Sequence, residues 1–354
     1  MSRPLEGIKV LDFSTLLPGP LATLLLAEAG AEVIKIERPG SGDEMRSYTP
    51  RVGPDSVNFA LLNRGKRSVA VDLKNEKQKI FPLLREADVL VEQFRPGVMD
   101  RLGLGYETLK DLNPGLVYCA ITGYGQHGPR AQVAAHDLNY AAESGLLSLG
   151  APVVPPALIA DIAGGAYPAV MNILLALRRR ERDGRGCKLD ISMSDNLFTF
   201  MYWALGDGQA AGAWPGSQDA LVTGGSPRYQ VYRTKDGRHV AAAPLEDRFW
   251  ENFCAALSIP KDASQKKVSD VMGSKTADEW RKVFAGKDVC CAIVATVQEA
   301  FADPHFRARG IFAHQVLTDA GPLTAVPVPV ADAFRDPAPA GYPRLGADNE
   351  LLHR

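Results

Sequence analysis

The chain has 354 residues, 46% of them hydrophobic and 23% charged, with a formal net charge of −1. That length exceeds one ordinary core and predicts two domains in a globular chain. Near-neutrality excludes a global field drawing the molecule to nucleic acid or to an anionic membrane, so an anionic ligand must be held by a local basic cluster. No apolar run reaches the ~20 residues of a membrane span. The opening Met1-Ser2-Arg3-Pro4-Leu5-Glu6-Gly7 has no signal-peptide stretch, and the closing Leu351-Leu352-His353-Arg354 is no peroxisomal tripeptide. The cytoplasm is the expected compartment.

The amino-terminal half alternates strand and helix. Ile8–Phe13 reads as a strand, Leu21–Ala29 as a helix opened by Pro20 and closed by Gly30, and Ala31–Ile36 as the next strand. Ser68–Leu73, Asp88–Glu92 and Leu116–Ile121 read as further strands, separated by helices over Glu76–Glu86 and Tyr106–Leu112. Right-handed β-α-β crossovers of this kind predict a Rossmann-like parallel sheet. The first turn, Ser14 to Pro20, is not the glycine-rich dinucleotide fingerprint. Gly123-Tyr124-Gly125-Gln126-His127-Gly128 matches that spacing, but it follows a late strand and meets Pro129, so it reads as a bending loop.

Basic residues gather where such sheets present a ligand crevice. Arg38 follows the second strand, Arg64, Lys66 and Arg67 lead into the third, and Arg95 follows the fourth. The residues alone leave two readings open, a polyanionic ligand or ordinary solvated charges. The five cysteines, Cys119, Cys187, Cys254, Cys290 and Cys291, have neither metal-site nor disulfide spacing and read as inert thiols. No metal is expected.

Leu138–Gly150 reads as a helix with His136 and Asp137 at its entrance, Asp137 as N-cap. Asp161 follows a proline-rich stretch and begins a second helix running through Gly164 and Gly165 to Arg180. The small residues at 163–166 read as room for a ligand to approach the backbone. An imidazole titrates near neutrality, and burial lifts a carboxylate toward that range. Two such groups flanking one carbon can exchange a proton across a planar intermediate. Taken singly, each reads as a helix-start residue.

After Asp195–Ala211, read as a helix, residues 206–227 become rich in Gly, Pro, Ser and Ala and read as a linker. A small α+β domain is predicted over 228–304, with strands Tyr229–Arg233 and His239–Ala243 around the turn Lys235-Asp236-Gly237, and a helix Leu245–Leu257 carrying Glu246 in its first turn. Further helices are expected near Asp278–Phe284 and Val297–Ala302. Residues 305–330 read as a return linker, and 331–354 complete the large domain formed by 1–205.

These motifs carry a resemblance. His136-Asp137-Leu138-Asn139-Tyr140, Asp161 with its glycines, and Gly224-Gly225-Ser226-Pro227 through Leu245-Glu246-Asp247-Arg248-Phe249-Trp250 resemble the alpha-methylacyl-CoA racemases of the family III CoA-transferase (CaiB/BaiF) superfamily. The likeness runs from Pro4 to about Gly310. It implies the family's fold and an interlocked homodimer. It implies an acyl-CoA substrate, CoA being part of that substrate and no separate cofactor being needed, and inversion of a 2-methyl stereocentre. It implies catalytic roles for His136 and Asp161, with Glu246 supporting the histidine across subunits. The entrance of the helix at Asp137 would stabilise the enolate, and Arg38, Arg64, Lys66, Arg67, Arg95, Tyr124 and Gly125 would hold the CoA.

Two departures stand out. Ala160 and Ala163 occupy positions that are glycine in racemases, so their methyls are expected to narrow the acyl pocket. Only Met171, Met193 and Met201 are available for a methionine-rich tail surface, and their spacing reads better as helix core. Two alternatives stay open. One is a CoA-transferase of the same superfamily, with Asp161 as nucleophile. The other is a non-catalytic acyl-CoA binding protein.

Overall fold

The computed structural model describes residues 3–353. The chain divides into two compact units, one formed by Met1–Ser144, Pro155–Thr199 and Arg309–Arg354, the other by Gly145–Val154 and Phe200–Ala308.

The first unit is built on six parallel strands: β1 (Lys9–Asp12), β2 (Glu32–Glu37), β3 (Arg67–Ala70), β4 (Val89–Glu92), β5 (Val117–Thr122) and β6 (Cys187–Ser192), in the order β3-β2-β1-β4-β5-β6. The central strands β1, β4 and β5 read as near-continuous apolar runs because helices cover both faces. Leu11, Ile34, Leu90 and Tyr118 point to one face, where Ile80, Leu84, Leu104 and Leu109 meet them. Those residues come from helices α3 (Phe81–Glu86), α4 (Val98–Leu102) and α5 (Tyr106–Leu112) and the segments beside them. Helix α1 (Pro18–Glu28) packs against β1 and β2, and α2 (Val57–Asn63) packs on α1.

Helix α6 (Asp137–Glu143) is shorter than expected and gives way to a 3₁₀ turn at Leu146–Leu149. The second predicted helix opens as a π-helix over Ala160–Ala166 and continues as α7 (Tyr167–Asp183). Gly184 ends it in the left-handed conformation, its N–H donating to Arg180 O. By length and composition Ala160–Asp183 would span a bilayer. Here it lies on α1 and the β5–β6 edge, with Ile173 and Leu177 buried.

Strand β6 was unassigned in the sequence, since its alternating Cys187-Lys188-Leu189-Asp190 directly follows a charged helix end. The stretch Asp195–Ala211, expected as one helix, is instead broken: α8 (Met193–Asn196) begins two residues earlier, and a 3₁₀ turn separates it from α9 (Tyr202–Ala211). Residues 206–211 are therefore helical rather than linker. Gly206 and Gly208 gave them linker composition, and Gly208 is the seat of the Trp214 ring, which a methyl there would meet at 2.4 Å.

The second unit has a three-stranded antiparallel sheet, β9-β8-β7, formed by β7 (Gln230–Arg233), β8 (His239–Ala242) and β9 (Cys291–Ile293). Helices α10 (Asp247–Leu257), α11 (Gln265–Met272) and α12 (Ala277–Phe284) bury Trp250, Phe253, Met272 and Trp280 against it. Back in the first unit, residues 315–324, expected as linker, pair as a hairpin of β10 (Gln315–Thr318) and β11 (Gly321–Thr324), with β12 (Ala340–Gly341) alongside β10. The chain end returns Leu351 and Leu352 to the large core.

Candidate active site

The strand order reverses between β1 and β4. In open parallel sheets a crevice forms at that point, outside the carboxyl ends of the strands. A cavity of about 520 Å³ lies there. The turn after β1 supplies Leu16 and Pro18, the turn after β4 supplies Gln93 to Pro96, the turn after β5 supplies Gly123 and Tyr124, and α8 supplies Met193. His136, Tyr140 and Asp161 line the same cavity.

Two helix starts deliver His136 and Asp161. His136, not Asp137, is the N-cap of α6; it is exposed, and its N–H donates to Asn139 Oδ1 at 3.0 Å. Asp137 is the first helical residue and is buried. Its Oδ1 accepts the backbone N–H of Asp161 at 2.9 Å, tying the two starts together. Asp161 is half-buried. Burial, reinforced by the nearby Asp137, pushes its carboxyl up to about 6.

Tyr140 packs under this pair. Its hydroxyl donates to Ala135 O at 2.7 Å, and burial together with Asp161 and Asp137 pushes it up to about 12. Its ring explains Gly123, where a Cβ would sit 2.4 Å from a ring carbon. Tyr124 stacks edge-on against Tyr140 at 5.2 Å. Tyr140 stood in the sequence only as the last residue of the His136 motif, with no role read for it, and Gln93 and Glu92 carried no sign beyond their place at the end of β4. Gln93 Oε1 accepts the Gly19 N–H at 3.0 Å, joining the β4 turn to the start of α1. Glu92 is buried, which pushes its carboxyl up to about 7, and it accepts the Phe94 N–H at 2.8 Å.

The glycines after Asp161 serve packing within the chain. A methyl on Gly164 would meet Met193 O at 2.4 Å, and one on Gly165 would meet Met193 and Pro18 at 3.0–3.2 Å. Asn196 Nδ2 donates to Gly164 O at 2.7 Å. Ala160 is fully buried, so its methyl does not narrow the cavity. Met193 alone of the three methionines reaches the cavity. Met201 packs in a separate small cluster, and Met171 is exposed on α7.

The basic residues divide. Arg95 is exposed and lines the cavity, and Arg38 is exposed just past β2. Arg64 is turned inward, its side chain donating to Glu28 at 2.7 Å and to the carbonyls of Leu61 and Val326. Lys66 is also buried, on Asp12, Pro20 O, Thr23 and Asn63. Burial, only partly offset by Asp12, lowers it to about 8. Burial alone would raise Asp12, but Lys35 and Lys66 outweigh it and hold that carboxyl well below its ordinary range. Arg67 is engaged by Asp348 and Glu32 at 2.9 and 2.8 Å. These three structure the fold, and their partner acids lie too far along the chain for sequence proximity to show. Gly125 is left-handed, φ 80°, in the turn whose Gln126 N–H donates to Asp190. In the second unit, Glu246 is the exposed N-cap of α10, and Asp247 is the first-turn acid, paired with Arg228 at 2.7 Å.

The chain is 35% identical over 358 residues to an alpha-methylacyl-CoA racemase of Homo sapiens, covering 94% of this chain and 90% of that protein. It is 34% identical over 333 residues to an acetyl-CoA:oxalate CoA-transferase of Acetobacter aceti, covering 87% and 85%. The crystal structure of a CAIB/BAIF family protein from Brucella suis superimposes with a TM-score of 0.83 at 28% identity, covering 100% of this chain and 99% of that one. The model of CoA-transferase family III matches residues 5–349, and the chain belongs to that family.

Proposed function

We propose that the protein is an acyl-CoA racemase that inverts the 2-methyl stereocentre of a 2-methylacyl-CoA. The observation that carries this reading is the shared cavity of His136 and Asp161, with the carboxyl lifted to about 6. Such a group holds and releases a proton near neutrality, which suits general acid–base work. In one direction neutral His136 removes the α-proton, the C–H electron pair enters the thioester as an enolate, and protonated Asp161 returns a proton to the opposite face. In the other direction the two exchange roles. Asp137, an acceptor already bound to the Asp161 N–H, positions Asp161 and gives no proton to the enolate. The opening N–H groups of α6 are the enolate's donors in this reading.

CoA is part of the substrate. Arg38 and Arg95 are the proposed contacts for its phosphates, with Tyr124 and Gly125 beside the pantetheine arm. Arg64, Lys66 and Arg67 already have partners in the chain. A cytoplasmic homodimer in which Glu246 supports His136 across subunits belongs to the same reading.

The second reading, CoA transfer with Asp161 as nucleophile, is favoured by the similar identity to the transferase relative. One incubation separates the two. A 2-methylacyl-CoA and a free carboxylate are mixed with the enzyme in deuterated water. Uptake of α-deuterium without CoA exchange supports the racemase, and CoA passing to the free acid supports the transferase. Tight binding with neither outcome identifies a binding protein.

A further inference from the structure

Leu16 is a bulky residue held at φ +63°. Left-handed backbone is strained for such a side chain, whereas glycine adopts it freely. A glycine would make the same turn without strain, yet a leucine stands here, in the wall of the His136–Asp161 cavity. Strained backbone persists where its surroundings over-determine it, and this turn is heavily fixed. The Leu16 N–H donates to Asp43 Oδ1 at 3.1 Å. Asp43 is fully buried and sits 2.9 Å from Lys35 Nζ, which is also fully buried and donates to Ser14 O at 2.7 Å. Two residues on, Pro18 packs within about 3.2 Å of a Cβ built at Gly165, on the π-helix that carries Asp161. Leu16 is thus anchored on both sides close to the reacting pair, with its side chain half-buried at the cavity surface.

We propose that Leu16 determines acyl specificity: its side chain is the wall against which the substituent on the reacting carbon packs, and the buried Lys35–Asp43 pair holds its strained backbone so that this wall stays in place. This deepens the thioester reading given above and rests on it.

The test compares Leu16→Ala, which keeps the strain and removes the wall, with Leu16→Gly, which removes both. Affinities of free CoA, acetyl-CoA and a branched long-chain 2-methylacyl-CoA are measured by calorimetry on the full-length protein, alongside thermal unfolding. Both variants should change the ratio of long-chain to acetyl affinity by roughly tenfold, with free CoA affinity unchanged. The glycine variant should melt about 2 °C above the alanine variant. Leu16→Phe, filling the cavity from the same position, should move the preference toward acetyl-CoA. An unchanged ratio in all three variants, or equal melting of the alanine and glycine variants, overturns the proposal. If the wild type takes up no α-deuterium, the proton-transfer reading fails while the affinity ratios still decide the role of Leu16.

Discussion

The carboxylate of Asp137 accepts the backbone N–H of Asp161 at 2.9 Å across 24 positions of sequence. One contact therefore fixes where the second helix begins and places a negative charge beside the Asp161 carboxyl. Asp137→Asn keeps an acceptor oxygen and removes the charge. Asp161 should then titrate lower, and the limb of the pH–rate profile for α-deuterium uptake should move to lower pH, with folding intact. Asp137→Ala also leaves the half-buried Asp161 N–H without its acceptor and should lower stability by ~1 kcal/mol. An unshifted limb in the asparagine variant would remove Asp137 from the electrostatics of the site.

Asp161 also gives stability a pH dependence. Its carboxyl titrates at about 6 in the folded chain and near 3.8 when unperturbed. The folded state therefore holds this proton more tightly, and the group's contribution to stability falls as pH rises from about 4 through about 6. Above that window the ionised, half-buried carboxylate costs on the order of 3 kcal/mol. Asp161→Asn should be more stable than wild type in urea at pH 8, equal to it at pH 4, and inactive in α-deuterium uptake. Equal stability at both pH values would mean the carboxyl is not perturbed.

Lys66 and Arg95 should respond in opposite ways. Lys66→Met orphans part of a fully buried cluster around Asp12 and should lower stability by ~3–5 kcal/mol. Arg95→Ala removes an exposed cavity cation and should leave the melting temperature within a degree or two while raising KM for the acyl-CoA, most strongly at low salt. A Lys66→Met protein that folds normally and fails only in CoA affinity would return Lys66 to the ligand.

Gly164→Ala forces a methyl to 2.4 Å from the Met193 carbonyl. The π-helix or α8 must shift, and destabilisation of ~1–3 kcal/mol is expected, with loss of activity larger than the loss of fold. Thermal unfolding and α-deuterium uptake measured together check this.

Most of the parallel layer was legible because its inner strands are largely apolar runs closed by turn residues, and the sequence positions of β1, β2, β4 and β5 lie within a residue or two of the observed strands. The motif singled out His136 and Asp161, which line one cavity. Three things were not. The inward turn of Arg64 and Lys66 depends on Glu28 and Asp12, 36 and 54 positions away, which only the folded sheet brings near. The role of Asp137 depends on a helix start 24 residues later. The purpose of Gly164 and Gly165 depends on Met193, whose backbone presses on them from another element.

The π-helical stretch from Ala160 to Ala166 has a consequence for heredity. A wide turn holds about one residue more than an α-helical turn, and each residue in an α-helix swings the chain by about 100°. Deleting a single amino acid there would regularise the spiral and rotate Asp161 off the crevice while the sheet beneath stayed untouched. The aim of that carboxyl is thus written in a head-count as much as in any letter, and an alignment gap placed inside this stretch would hide the difference between a working enzyme and a silent one.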